Sequence, residues 1–171
     1  MKIRAFGAVL LLLAMISVST LAEAWTTGVP TVFQVSGNVQ QPATFNLKKL
    51  QQFPVVNQNV TYFAAGSVVS QSFTGALLWD LLQSVGIVLD PNVKNDILHQ
   101  IVIVTGSDGY ESVFGAGEIA PNFGGDQIIV AYAVNGQPLG DTGFARIVAP
   151  GDKLGGRFVS NIVKIVVKDI P

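Results

Sequence analysis

Apolar and polar residues alternate in short runs along most of this chain, and one stretch alone keeps a clear helical period. Phe33, Val35 and Val39 flank Gly37 and predict a first strand with a bend. Gln40-Gln41-Pro42 is a turn, and residues 45–50 have the spacing of a short amphipathic helix that Phe53-Pro54 stops. Residues 55–64 predict a second strand. Leu77, Leu78, Leu81, Leu82 and Val85 then fall on one helical face. That helix starts after Thr74-Gly75, with Thr74 or Ser72 as its cap, and Gly86 ends it. Asp90-Pro91 opens another short helical piece, with Asp as cap and Pro at the first position. Residues 101–105 are a β-branched run, Gly106-Ser107-Asp108-Gly109 is turn chemistry, and residues 110–114 return as the second arm of a hairpin. A strand over 128–134 ends at Asn135-Gly136, a type I′ turn signal. Residues 145–148 and 162–167 complete the set. Strands dominate and helices are short, so the fold class is α+β with a mixed or antiparallel sheet.

The first residues carry an address, not a strand or a core helix. Lys2 and Arg4 precede an apolar run over 5–16, and Ala22-Glu23-Ala24 is a small-x-small cleavage pattern. This is a signal peptide over residues 1–24, cut before Trp25. A membrane anchor is the alternative, but the apolar run is short for a span and no basic stop-transfer cluster follows. No cysteine follows it, which excludes lipoprotein processing, and no Arg-Arg pair precedes it, so the route is Sec-type. A secreted or periplasmic protein without a stable membrane anchor is expected, with residues 25–171 as a single domain. Those 147 residues keep eight basic and ten acidic side chains, a formal charge of −2. That length supports a core without disulfides. Asn59-Val60-Thr61 matches the glycosylation triplet, which a bacterial-type signal leaves without a role.

Composition narrows the chemistry further. Charged residues make up 12% of the chain, against about 25% in ordinary soluble domains. The near-zero balance excludes a broad basic surface for nucleic acid. Cysteine is absent and His99 is the single histidine, which excludes disulfides, thiolate catalysis, iron–sulfur clusters and a Cys/His zinc site. Gly115, Gly117 and Ala120 fit G-x-G-x-x-A, but Pro121 would break the helix a dinucleotide fingerprint must open, so this is a loop. There is no G-x-S-x-G elbow, and His99, between a helical piece and a strand, has a structural or surface role. Asp108, Glu111, Glu118 and Asp126 cluster in sequence, as glycoside chemistry or calcium binding would use. Turn and strand positions account for them equally well, and the D-x-[DN]-x-[DN]-G spacing is missing. Phe63, Phe73, Trp79, Tyr110, Phe114 and Phe123 are expected in the core. Arg146 lies in an otherwise apolar strand and needs a partner. A structural carboxylate such as Asp80, Asp108 or Asp141 is the expected one, and an anionic ligand is the other.

Five stretches, in order, resemble the molybdopterin-binding domain of the sulfite oxidase family. They are Val35-x-Gly37-x-Val39-x-x-Pro42, the helix Gly75…Leu78-x-x-Leu81-Leu82, Ser107-Asp108-Gly109-Tyr110, Ala131…Asn135-Gly136-x-Pro138-Leu139, and Gly143-x-x-Arg146-x-x-x-Pro150-Gly151. The resemblance runs from about Phe33 to Ile170 and implies a β-rich α+β domain with a mixed sheet system and a pterin-type pocket. It places the site near Phe63 to Ser67, Asp108 to Tyr110 and Arg146, with Arg157 as a further anion contact. It also implies a molybdenum-ligating cysteine near Phe63 and a lysine near Ser160, and this chain has neither. The family's periplasmic enzymes are exported folded by the twin-arginine route, which this signal does not match. A non-catalytic secreted binding domain is therefore expected, with a small anionic or organic ligand, or a protein, in the pocket. No cofactor is expected under that reading. A molybdopterin-dependent oxidoreductase that holds its cofactor through Arg146, Arg157 and loop N–H groups is one alternative. A structural or interaction protein that uses an exposed edge or apolar patch is the other.

Overall fold

Period-two burial builds most of the structure. The computed structural model describes residues 29–170, so the signal peptide expected over 1–24 lies outside the described residues. In chain order the elements are β1 (Val32–Gly37), β2 (Ala43–Asn46), α1 (Leu47–Leu50), β3 (Val56–Ala64), β4 (Ser67–Leu77) and α2 (Leu78–Val85). They continue with β5 (Gln100–Gly106), β6 (Glu111–Gly115), α3 (Ala116–Ile119), β7 (Ile129–Val134), β8 (Gln137–Pro138), β9 (Arg146–Val148) and β10 (Ile162–Asp169). Single 3-10 turns sit at Asp96–His99, Gly140–Thr142 and Gly155–Arg157.

Two sheets share one core. The first has strand order β2-β1-β10-β5-β6, with β1 and β10 parallel and the other neighbours antiparallel. The second has order β3-β4-β7-β8, with β9 also paired to β7, and is antiparallel throughout. This is the expected mixed, β-rich α+β class. Phe33, Phe45, Phe73, Phe114, Ile129 and Ile147 are fully buried with Leu78, Leu81 and Leu82 of α2. Burial of such side chains contributes roughly 1.5–3 kcal/mol each. Gly37 lets β1 lie close to β10: its φ is +92°, and a Cβ there would run into the Val167 carbonyl oxygen. Asn135 and Gly136 both have positive φ, +49° and +73°, as the type I′ turn between β7 and β8 requires.

Several expectations need correction. Residues 43–46 form β2, and the helix begins one residue after Asn46, whose side chain accepts from the Lys49 N–H as its cap. β4 occupies residues that the pattern leaves without a strand, so Ser72 and Thr74 are strand residues, and α2 has no side-chain cap. The Thr74 hydroxyl donates instead to Asn57 on β3, at 2.7 Å. Asp90 does not cap a helix: it closes a turn by accepting from the Asn92 N–H, and the helical turn starts at Asp96. Of the expected core aromatics, Phe73 and Phe114 are buried and Trp79 partly so, whereas Phe63, Tyr110 and Phe123 are exposed. Among the described residues no helix is long and apolar enough to cross a membrane.

Candidate functional site

Arg146 enters the interior of the second sheet because of what lies beside it. It pairs with Ala131 on β7, and Ala131 pairs with Gly75 on β4, so the row across three strands is Arg–Ala–Gly. Cross-strand neighbours share a face, and here two of the three have almost no side chain. The Arg146 guanidinium reaches the rings of Phe73 and Phe158, with 5.7 Å from its central carbon to each centroid. Tyr62 packs on Phe158 at 4.7 Å, and its hydroxyl donates to Gln71 at 2.8 Å.

The expected carboxylate partner is not there. Among the described residues no Asp or Glu oxygen lies within ion-pair distance of Arg146, and its Nε is buried without a hydrogen-bond partner. Asp108 is occupied locally and accepts from the Tyr110 N–H, and neither Asp80 on α2 nor Asp141 in its 3-10 turn forms an ion pair among the described residues. Two aromatic faces attract a cation, but they cannot accept an in-plane N–H bond.

One segment, 152–158, gathers the residues that the sequence singled out. The Phe63 N–H donates to the Lys153 carbonyl at 2.9 Å, and Phe63 forms an isolated parallel bridge with Leu154. The Tyr110 hydroxyl donates to the Gly156 carbonyl at 2.6 Å, and Asp108 holds the turn that presents Tyr110. Gly155 lies flat on Tyr62, where a Cβ would come within 3.0 Å of ring carbons. Phe158, at the end of the segment, is one of the two platforms under Arg146. Phe63 itself is 46% exposed at the tip of a β3–β4 ladder whose register runs unbroken from Val56↔Gly75 to Ala64↔Ser67.

Arg157 is differently placed from Arg146. Its Nε and Nη2 donate to Asp152 at 2.8 and 2.6 Å, its Nη1 donates to Glu118 at 2.7 Å, and it lies 4.8 Å over the Phe114 ring. Hydrogen bonding to Asp152, and then to Glu118, raises its pKa above an already high ordinary value, against the opposing effect of partial burial. Its charge is therefore met by two carboxylates within the fold. Glu118 also accepts from the Gly115 N–H, which places the G-x-G-x-x-A stretch in a capped turn and not in a nucleotide loop. A cleft of about 280 Å³ beside this cluster is lined by Asp126, Gln127, Pro150, Gly151 and Asp152. Glu111 accepts from the Thr105 hydroxyl, so the sequence-clustered carboxylates are divided among separate tasks. Sequence reasoning missed Phe158, Asp152 and Lys153. The Gly155-Gly156 pair was the available signal for a closely packed segment there.

The fold is a β-rich α+β domain of two sheets, and within it the Nε of Arg146 is buried without a hydrogen-bond partner among the described residues. The chain belongs to the oxidoreductase molybdopterin binding domain family, whose model matches residues 26–171. Among solved structures it is similar to the sulfane dehydrogenase SoxCD from Paracoccus pantotrophus, with a TM-score of 0.66 and 19% identity. That similarity covers 81% of this chain and 38% of the other, so this chain spans less than half of that protein. A comparison with curated protein sequences returns no match.

The family implies a molybdenum–pterin cofactor, and the donor set tests the fit. The chain has no cysteine, and its two methionines, Met1 and Met15, lie outside the described residues, so residues 29–170 contain no sulfur. At the position that the resemblance gives to the ligating cysteine stands the exposed phenyl ring of Phe63. Among the described residues no three His, Cys, Asp or Glu side chains group as metal ligands. These residues do not fit ligation of molybdenum through a protein thiolate. What remains at the site is the buried Nε–H of Arg146, without an acceptor among the described residues.

Proposed function

We propose that this is a secreted, non-catalytic binding domain on the molybdopterin-binding scaffold, and that Arg146 holds a small anion or the anionic group of an organic ligand. The buried, unpartnered Nε of Arg146 carries this reading. A guanidinium that rests against two neighbouring aromatic rings, themselves 6.5 Å apart and edge to face, still has an Nε–H for which the described residues supply no acceptor. The absence of any thiol supports a binding role over a redox one. Arg157 serves as the internal control, since its donors are already engaged.

The test starts with protein recovered from the periplasm or medium of its own host. Metal analysis and ligand extraction are expected to give an anionic organic or inorganic ligand without stoichiometric molybdenum. Titration with sulfate, phosphate and a small carboxylate is expected to show binding that Arg146→Ala abolishes and Arg157→Ala leaves largely intact. Equal retention in the two folded variants removes Arg146 as the contact, and stoichiometric molybdenum ends the non-catalytic reading.

Family membership favours a second reading, a molybdopterin-dependent oxidoreductase that keeps the pterin through Arg146, Arg157 and loop N–H groups without thiolate ligation. Oxidative denaturation of the native protein decides it. Pterin fluorescence supports this reading, and its absence removes it.

A further inference from the structure

Residues 50–79 contain no Asp, Glu, Lys, Arg or His, and they build the β3–β4 hairpin at the border of the second sheet. Border strands present unpaired backbone groups, and proteins blunt them with charge, proline, shortness or a cover. The other three borders show such devices. β2 has four residues and runs into Lys48 and Lys49; β8 has two residues, one of them Pro138. β6 begins at Glu111, and its Ser112 hydroxyl reaches the Arg157 carbonyl of the segment that lies over it. β3 has nine residues and none of these devices along most of its length.

The free groups can be assigned. In an antiparallel ladder, alternate residues turn both backbone groups to the partner strand and the next residues turn both away. Phe63 is of the second kind, because its N–H leaves the ladder for the Lys153 carbonyl. Asn57, Asn59 and Thr61 share its parity. Their outward N–H and C=O groups have no partner among the described residues, and their side chains are exposed.

We propose that β3 pairs antiparallel with β3 of a second copy of this chain, across a two-fold axis at Asn59. The occupied Phe63 fixes the register. An axis at Val60 would set Asn57, a strand residue with free groups, against Phe63, whose N–H is taken, whereas an axis at Asn59 sets only Val55, outside β3, against it. An axis at Asn59 sets Asn59 against itself and Asn57 against Thr61, and uses every free group. The outward pattern reads the same from either end: apolar Val55, then Asn57, Asn59 and Thr61, then apolar Phe63. Val55 of one copy falls beside Phe63 and Leu154 of the other, and all three are exposed in the single chain. An uncharged strand can face its own copy without like-charge repulsion, which is why the occupant is a second copy and not a charged foreign segment. This proposal rests on the fold and is independent of the ligand at Arg146.

Sedimentation of the full mature chain at micromolar concentration tests it, with circular dichroism to check folding. The wild type is expected as a dimer. Asn59→Lys puts like charges on the axis and is expected to weaken the dimer roughly tenfold or more. N57K/T61K is expected to be monomeric, whereas N57K/T61E, with opposite charges across the axis, remains dimeric. A monomeric wild type overturns the proposal. So does equal behaviour of the two double variants when both are folded.

Discussion

Replacing Arg146 by methionine separates a binding role from a structural one. The substitution keeps an unbranched side chain of similar reach and removes the charge and the donors. Loss of attraction to the Phe73 and Phe158 rings, each 5.7 Å away, costs about 1–2 kcal/mol in total. Removal of a buried Nε–H without an acceptor returns about 1–3 kcal/mol. The two effects nearly cancel, so Arg146→Met is expected within ~1 kcal/mol of wild type, or slightly more stable. In urea unfolding this is a small shift of midpoint at constant slope, and in a thermal scan a change of less than ~4 °C. Binding responds differently. A charge-assisted hydrogen bond contributes about 1.5–3 kcal/mol, so calorimetric titration with sulfate or phosphate is expected to show affinity roughly 10- to 150-fold weaker. Destabilisation above ~2 kcal/mol with anion affinity unchanged would refute the reasoning and make the guanidinium a structural cation.

Further outcomes follow from the same geometry. Arg157→Ala leaves Asp152 and Glu118 facing each other, and for a side chain 35% exposed the loss, discounted for solvent screening, is about 1 kcal/mol in urea unfolding. Because the Arg157 pKa is raised, its contribution is present below the ordinary arginine value and is lost only as pH climbs through the raised one. The stability gap between wild type and Arg157→Ala is therefore expected to stay flat from neutral to mildly alkaline pH. Gly37→Ala places a methyl against the Val167 carbonyl at φ +92° and is expected to lose roughly 2–4 kcal/mol, read as a lower urea midpoint. Leu82→Ala empties a fully buried site on α2 and is expected to cost roughly 2–5 kcal/mol in the same assay.

Strand positions were legible where β-branched residues run together, as in β5, or alternate cleanly, as in β1. α2 was legible from its leucine spacing. β4 was not, because Ser70, Gln71 and Ser72 read as polar loop. Their strand geometry comes from pairing with β3, while β7 pairs only with the following residues of β4, Phe73 to Leu77. β2 was hidden for a similar reason: Phe45 fits a helical face in sequence, but its ring stacks on Phe33 of β1, 5.5 Å away. The site was half legible. Arg146 stood out as a lone charge in an apolar run, but its aromatic platforms did not, since Phe73 and Phe158 look like any core phenylalanine.

The sequence by itself determined the chemistry that is closed to this protein. Without a thiol there is no thiolate for a metal, and without a charge from residue 50 to 79 there is no guard along that hairpin. These follow from which side chains exist, and no folding can add them. Only the tertiary structure decided which groups meet. It brought Tyr110 to Gly156, 46 residues away, gave Arg157 two carboxylates and left Arg146 with none among the described residues. The pairing of β9 with β7, and of β7 with β4, fixed that outcome, because strand register sets which side chains share a face.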